Sequence, residues 1–183
     1  MNEKILKIPY SAVNNDWDLL QKFLKMKGNP RYIIVGDVNL QDRKDISDLG
    51  NLFGVEGEFN LNFSSIESLG ELQFVGGDLK LWGCQNIKTL AKLKKVEDRL
   101  DLRFSSIESL GELELVGGLS LRNCQNIKTL GKLKKVEDEL VLSESSIESL
   151  GDLEFVGSNL LIDDTNIPQS EIDKVEVGGE IRR

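Results

Sequence analysis

The sequence predicts an α/β solenoid: a right-handed coil with a parallel β-sheet along one side, tight arcs along the other and a helical cap at its N-terminus. Three observations predict it. The chain repeats with a unit of about twenty residues. Each unit carries an alternating Leu-x-Leu pair, as a strand with one buried face should. The first part of the chain departs from the repeat and holds one amphipathic stretch.

Residues 1–31 read as the cap. Asn15 and Asp16 are N-cap candidates, and Gly28 followed by Pro30 is a stop signal. Between them Trp17, Leu19, Leu20, Phe23, Leu24 and Met26 occupy about half the circumference at ~100° per residue. An apolar face of that kind covers the open end of a stacked core. Residues 32–183 are the solenoid, and cap and solenoid together make one structural domain.

Residues 66–106 and 107–146 are near copies: with one gap opposite Asp78, 30 of 40 aligned positions are identical. Each copy divides again, so units begin at Ile46, Ile66, Ile87, Ile107, Ile127, Ile147 and Ile167. A unit this short buries no core alone, so neighbouring units must stack. The strand pairs are Val38/Leu40, Phe59/Leu61, Leu79/Leu81, Leu100/Leu102, Leu119/Leu121, Leu140/Leu142 and Leu160/Ile162, with a frayed copy near Ile181. The return half spaces its apolar residues by three, as in Ile66, Leu69, Leu72 and Val75, which suits a 3₁₀-like or extended arc.

Residues 79–87 and 119–127 match the pattern L-x-L-x-x-C-x-x-I, and 100–107 is similar to L-x-L-x-x-N-x-L with Ser105 in place of Asn. On these segments the chain resembles the leucine-rich repeat family over roughly residues 32–183. The resemblance implies a concave face of parallel strands, a convex face of arcs, and protein ligands as the commonest class. A right-handed parallel β-helix is the alternative reading of the same period.

Composition narrows the chemistry. The 183 residues are 39% hydrophobic and 30% charged, with a net charge of −8 and no histidine. The acidic balance argues against nucleic acid and anionic membranes as partners. The missing histidine removes the commonest general base and the usual zinc ligand. Cys84 and Cys124 hold the same position two coils apart, ~10 Å at ~4.8 Å per coil, too far for a disulfide, so two free buried thiols are expected. Gly76-Gly77 and Gly117-Gly118 are turn glycines without a phosphate-loop lysine. No enzyme, cofactor or metal site is therefore expected. MNEKILKIPY has no apolar leader core and no stretch reaches membrane-spanning length, so the expected compartment is cytoplasmic, with signal-independent secretion left open. Glu180, Arg182 and Arg183 guard the last edge only lightly, so a monomer or a weak edge-to-edge dimer through the C-terminal coil is expected.

On the arc, Glu67, Lys88, Glu108, Lys128 and Glu148 form one column, and Glu71, Lys92, Glu112, Lys132 and Asp152 a second; sign flips at every coil, as in surface ion-pair ladders. The two long copies differ by substitution at ten positions, and seven of these lie on the outer side or exit of the strands. Alternation places Trp82, Arg103 and Arg122 in one column, Lys80 and Asp101 beside it, and Phe63 and Phe104 at its rim. Trp and Arg together are the composition of an interface hot spot. The expected function is a non-catalytic interaction module that binds another protein on the concave strand face through these seven residues. The alternative is a purely structural spacer without a specific ligand.

Overall fold

Stacking of the units is governed by the backbone. In the computed structural model, which describes residues 5–183, the chain winds as a right-handed parallel β-helix of about seven turns. Two parallel ladders run along its length. The first joins Leu6–Pro9, Tyr32–Val35, Leu52–Val55, Phe74–Val75, the start of Lys95–Asp101 and of Leu115–Ser120, then Lys135–Val136, Phe155–Val156 and Glu176–Val177. The second joins Val38–Asn39, Phe59–Asn60, Leu79–Lys80, the ends of the two long strands, then Leu140–Val141, Leu160–Leu161 and Ile181–Arg182. Register is conserved from coil to coil, with Phe59, Leu79, Leu100, Leu119, Leu140 and Leu160 paired in sequence. Like side chains therefore stack on like, and Leu61, Leu81, Leu102, Leu121 and Leu142 are all at 0% exposure.

The leucine-rich repeat reading is corrected here. A horseshoe bends because its outer arcs are bulkier, and so further apart, than its inner strands. In this chain the arcs are hydrogen-bonded to one another as well, in successive pairs. Glu67 N–H donates to Ser47 O at 2.8 Å, Glu108 N–H to Lys88 O at 2.8 Å and Glu148 N–H to Lys128 O at 2.9 Å. Isolated parallel bridges join Asp48 to Ser68, Thr89 to Ser109 and Thr129 to Ser149 on the same side. Within each such pair arc and strand share one hydrogen-bond-limited spacing, ~4.8 Å, whereas the Ile66 and Ile87 arcs and the Ile107 and Ile127 arcs meet only at their ends, Lys94 N–H to Gln73 O at 2.9 Å and Lys134 N–H to Glu114 O at 3.0 Å. Neither a concave sheet nor a convex ring of 3₁₀ arcs forms. Each arc is extended and broken by one tight turn, such as Leu72 N–H to Leu69 O at 3.1 Å around Gly70.

The cap follows from its own residues. Helix α1 spans Trp17–Met26, and the Asp16 carboxylate caps it by accepting from Asp18 N–H at 2.9 Å and Leu19 N–H at 3.0 Å. Its buried face is narrower than the sequence pattern implied. Trp17, Leu20 and Leu24 close the end of the core, Phe23 packs at its margin, and Leu19 and Met26 stay exposed. The preceding strand pairs Leu6 with Tyr32, so the cap also continues the first ladder. At the other end a short helix α2, Gln169–Ile172, buries Ile172 beneath the last arc.

Arg43 ties the cap to the first coil. Its guanidinium reaches Asp45 at 2.7 and 2.6 Å and Asp18 of α1 at 2.9 Å. The guanidinium holds the Asp45 carboxyl down to about 2, below its ordinary 3.8. A depressed folded pKa contributes stability that is complete above 3.8 and lost as pH falls through about 2. In a Trp82→Phe background, Trp17 fluorescence should report loosening of α1 over that window, and Arg43→Ala should abolish the step. A step unchanged by Arg43→Ala would detach it from the clamp.

Both cysteines are free and fully buried, in an inner column that reads Ser64, Cys84, Ser105, Cys124, Ser145. Cys84 Sγ donates to Leu61 O at 3.1 Å and Cys124 Sγ to Leu102 O at 2.9 Å. Burial pushes both thiols above their ordinary pKa, which removes the reactive thiolate. Neither thiol should react with a disulfide reagent in native buffer, and both should react at once in denaturant. Rapid native labelling of either would mean that its coil opens.

Candidate functional site

The second ladder places its outward residues in columns. Pairing of Lys80 with Asp101 aligns the first of them. Phe63 N–H donates to Trp82 O at 2.9 Å, Gly83 N–H to Arg103 O at 2.9 Å and Phe104 N–H to Arg122 O at 3.2 Å, which puts Trp82, Arg103 and Arg122 on successive coils. The next position is the corner of each coil, where Phe63, Gly83, Phe104, Asn123 and Glu144 all have positive φ. Gly and Asn suit that conformation, whereas a phenylalanine there is strained.

Side-chain contacts divide the seven expected site residues into groups. Phe63 and Trp82 form an aromatic pair with ring centroids 4.8 Å apart and planes tilted by 52°. The Arg103 guanidinium lies 5.4 Å from the Trp82 ring and is held there by Asp101. Its Nε donates to Asp101 Oδ1 at 2.8 Å and its Nη2 to Oδ2 at 2.6 Å, a bidentate pair that keeps the guanidinium charged. Phe63, Trp82, Arg103 and Asp101 are therefore one stack across three coils. Asp101, expected on the open side, is only 8% exposed and is engaged by Arg103.

The other three belong elsewhere. Lys80 turns to Glu58 at 2.8 Å and Asp78 at 3.7 Å, and these partners raise its pKa. Arg122 pairs with Glu144, whose carboxylate also accepts from Asn123 Nδ2 at 3.1 Å and is held below its ordinary pKa. Phe104 stands at its corner, 50% exposed. Sequence reasoning missed the partners Glu58, Asp78, Asn123 and Glu144. Their signal was position: Glu58 and Glu144 flank a strand pair on a neighbouring coil, and Asp78 and Asn123 flank the strand pair of the same coil. With Lys80, Arg103 and Arg122 each matched by a carboxylate, these site residues present fixed donors and acceptors and little net charge.

Two depressions lie apart from this face. A cleft of about 250 Å³ between α1 and the first coils is lined by Gln21, Leu24, Asn29, Pro30, Tyr32, Gly50 and Asn51. In it Gln21 Nε2 donates to the Tyr32 hydroxyl at 3.1 Å, and burial pushes that phenol up to about 12. A second, of about 350 Å³, has a Gly117-Gly118 floor and walls from Glu97, Asp98, Arg99, Glu137 and Asp138. It marks the coil that lacks a counterpart of Asp78, whose carboxylate accepts from Arg99 N–H at 3.0 Å in the neighbouring coil pair. Among the described residues no group of three or more Cys, Asp or Glu side chains is arranged to hold a metal ion, and no helix is long and apolar enough to cross a membrane. Neither the family models nor the curated proteins nor the solved structures contain a match to this chain.

Proposed function

We propose that the chain is a non-catalytic structural element, a stiff spacer whose length is set by the number of its coils. One observation supports this above others: two parallel ladders run along the whole stack of coils, with the arcs bonded in coil pairs beside them, wound around one continuous core from Ile8 to Ile172. A solenoid bonded along two continuous ladders resists bending, and each coil adds ~4.8 Å. The Phe63–Trp82–Arg103 stack fits the same role, since it clips three coils together on the outside. Excision of residues 66–106 removes two coils and joins equivalent positions. The shortened protein should fold, with a maximum dimension by small-angle X-ray scattering about 10 Å smaller. In the native host, the phenotype should follow coil number and tolerate Trp82→Ala. Loss of function on Trp82→Ala with coil number unchanged would overturn the spacer reading.

A second reading rests on Phe104. A half-exposed phenylalanine with φ of 56° carries backbone strain that no aromatic contact among the described residues offsets. Beside the exposed edge of Trp82 and the guanidiniums of Arg103 and Arg122 it makes a surface suited to another protein. On this reading, Phe104→Asn keeps or raises stability and abolishes partner capture in a pull-down. Capture that is indifferent to Phe104→Asn and to Arg103→Glu removes it.

A further inference from the structure

The arc side carries a charge pattern that the paired columns do not exhaust. A third column runs beside the two legible in the sequence. Lys94 N–H donates to Gln73 O at 2.9 Å, Glu114 N–H to Lys94 O at 3.0 Å, Lys134 N–H to Glu114 O at 3.0 Å and Glu154 N–H to Lys134 O at 2.9 Å. The three columns are in phase. The Ile87 coil presents Lys88, Lys92 and Lys94, and the Ile127 coil presents Lys128, Lys132 and Lys134. Between and beside them lie Glu67 and Glu71, then Glu108, Glu112 and Glu114, then Glu148, Asp152 and Glu154. The arc is thus striped across the solenoid axis, one sign per coil.

Eight of the ten residues in the first two columns pair within the chain. Lys88 pairs with Glu108 at 3.2 Å, Lys128 with Glu148 at 2.8 Å, Lys132 with Glu112 at 2.8 Å, and Lys92 with Glu71. Among the described residues, Lys94, Glu114, Lys134 and Glu154 are exposed and enter no ion pair. Register therefore does not need the third column's charges, yet they repeat the same sign rule.

We propose that this striped arc is a self-complementary surface that docks a second copy of the chain, antiparallel, across a two-fold axis. An isologous contact places coil against coil in reverse order. With the axis between the Ile87 and Ile107 coils, each lysine stripe meets an acidic one: Ile87 faces Ile107 of the other copy, and Ile127 faces Ile66. The next coil, Ile147, then meets the uncharged Ser47 and Asn51 of the Ile46 coil. Moving the axis one coil toward the C-terminus would instead set Glu67 and Glu71 against Glu171 and Asp173, which repel. Of these two registers, complementarity favours the first.

The same physics bounds the affinity. Stripes of alternating sign cancel beyond about one coil spacing, so at long range each copy shows only its charge of −8, and the copies repel. Salt near 0.15 M, with a Debye length of about 8 Å, screens that repulsion and leaves contact-range pairs largely intact; at 1 M, about 3 Å, those pairs weaken too. The face is small and polar, so a dissociation constant on the order of 0.1–1 mM is expected.

Sedimentation velocity of the full chain over a concentration series tests this. Expected is a reversible rise toward dimer mass at 0.15 M salt and a monomer at 1 M. The K94E/K134E variant should stay monomeric at both, with an unchanged circular dichroism spectrum. K94Q/K134Q, which adds no repulsion inside the chain, should weaken association about tenfold or more. A wild type that is monomeric throughout overturns the proposal. So does association that survives 1 M salt or K94E/K134E, which would place the contact on another surface, such as the last coil's strand edge.

Discussion

Gly111→Ala is expected to cost about 3 kcal/mol or more, and Gly131→Ala only about 1 kcal/mol, although the two residues hold equivalent corners. Their backbones are alike, with φ of 62° and 60°. A side chain in that conformation costs roughly 1–2 kcal/mol at either position. The difference lies in the preceding coil. A Cβ on Gly111 would stand 2.4 Å from Ala91 O and 2.7 Å from Ala91 N, whereas one on Gly131 meets nothing within 4 Å. Gly70 and Gly151 share the crowded environment, at 2.3 and 2.4 Å from the carbonyl of the preceding corner. Ala91 shows that the roomier corner accepts a methyl group, with φ of 49°. Ala91→Gly should therefore gain about 1 kcal/mol. Urea titration of the three variants checks this, and equal losses at Gly111 and Gly131 would refute the alternation of tight and loose corners.

Leu121→Ala should destabilise by about 2–5 kcal/mol, lowering the melting temperature by roughly 2–4 °C per kcal/mol. Leu121 is at 0% exposure in mid-solenoid, and its inward neighbours Leu102 and Leu142 are equally buried, so a cavity there has no free side chain to fill it. Cooperativity adds to the loss, because each coil's apolar face is covered only by the coils on either side. Leu19→Ala, on the outer side of α1 at 42% exposure, is the matched control and should change stability by less than about 0.5 kcal/mol. A Leu121→Ala loss below about 1 kcal/mol would mean that the coils slide together to close the gap.

The seven-residue site shows where a periodic sequence is legible and where it is not. A period of one coil predicts which residues share a column, because parallel pairing carries position n of one unit to position n of the next. Trp82, Arg103 and Arg122 occupy successive coils for that reason. Period says nothing about where a long side chain turns within its column. Arg103 lies over Trp82 because Asp101, two residues earlier, takes its guanidinium; Arg122 has no such neighbour and goes to Glu144. Lys80 likewise leaves the column for Glu58 and Asp78. The same limit applies at the cap, where Asp16 was legible as the N-cap and the solvent exposure of Met26 was not.

The sequence by itself determined the solenoid, its unit, the inward Leu, Ile and Val columns, the free thiols and the alternating charges, because each is a consequence of what repeats. The choice between horseshoe and β-helix was decided only in the tertiary structure. Both folds share the Leu-x-Leu strand and the period of about twenty residues. They differ in whether arc backbones approach closely enough to bond, and that distance is set by how side chains of adjacent coils nest. Glu108 N–H meets Lys88 O at 2.8 Å because the corner glycine Gly111, with no Cβ against Ala91, lets that pair of arcs close to strand spacing. Where arc and strand spacing are equal there is no wedge between coils, and a chain with horseshoe-like strands winds as a β-helix.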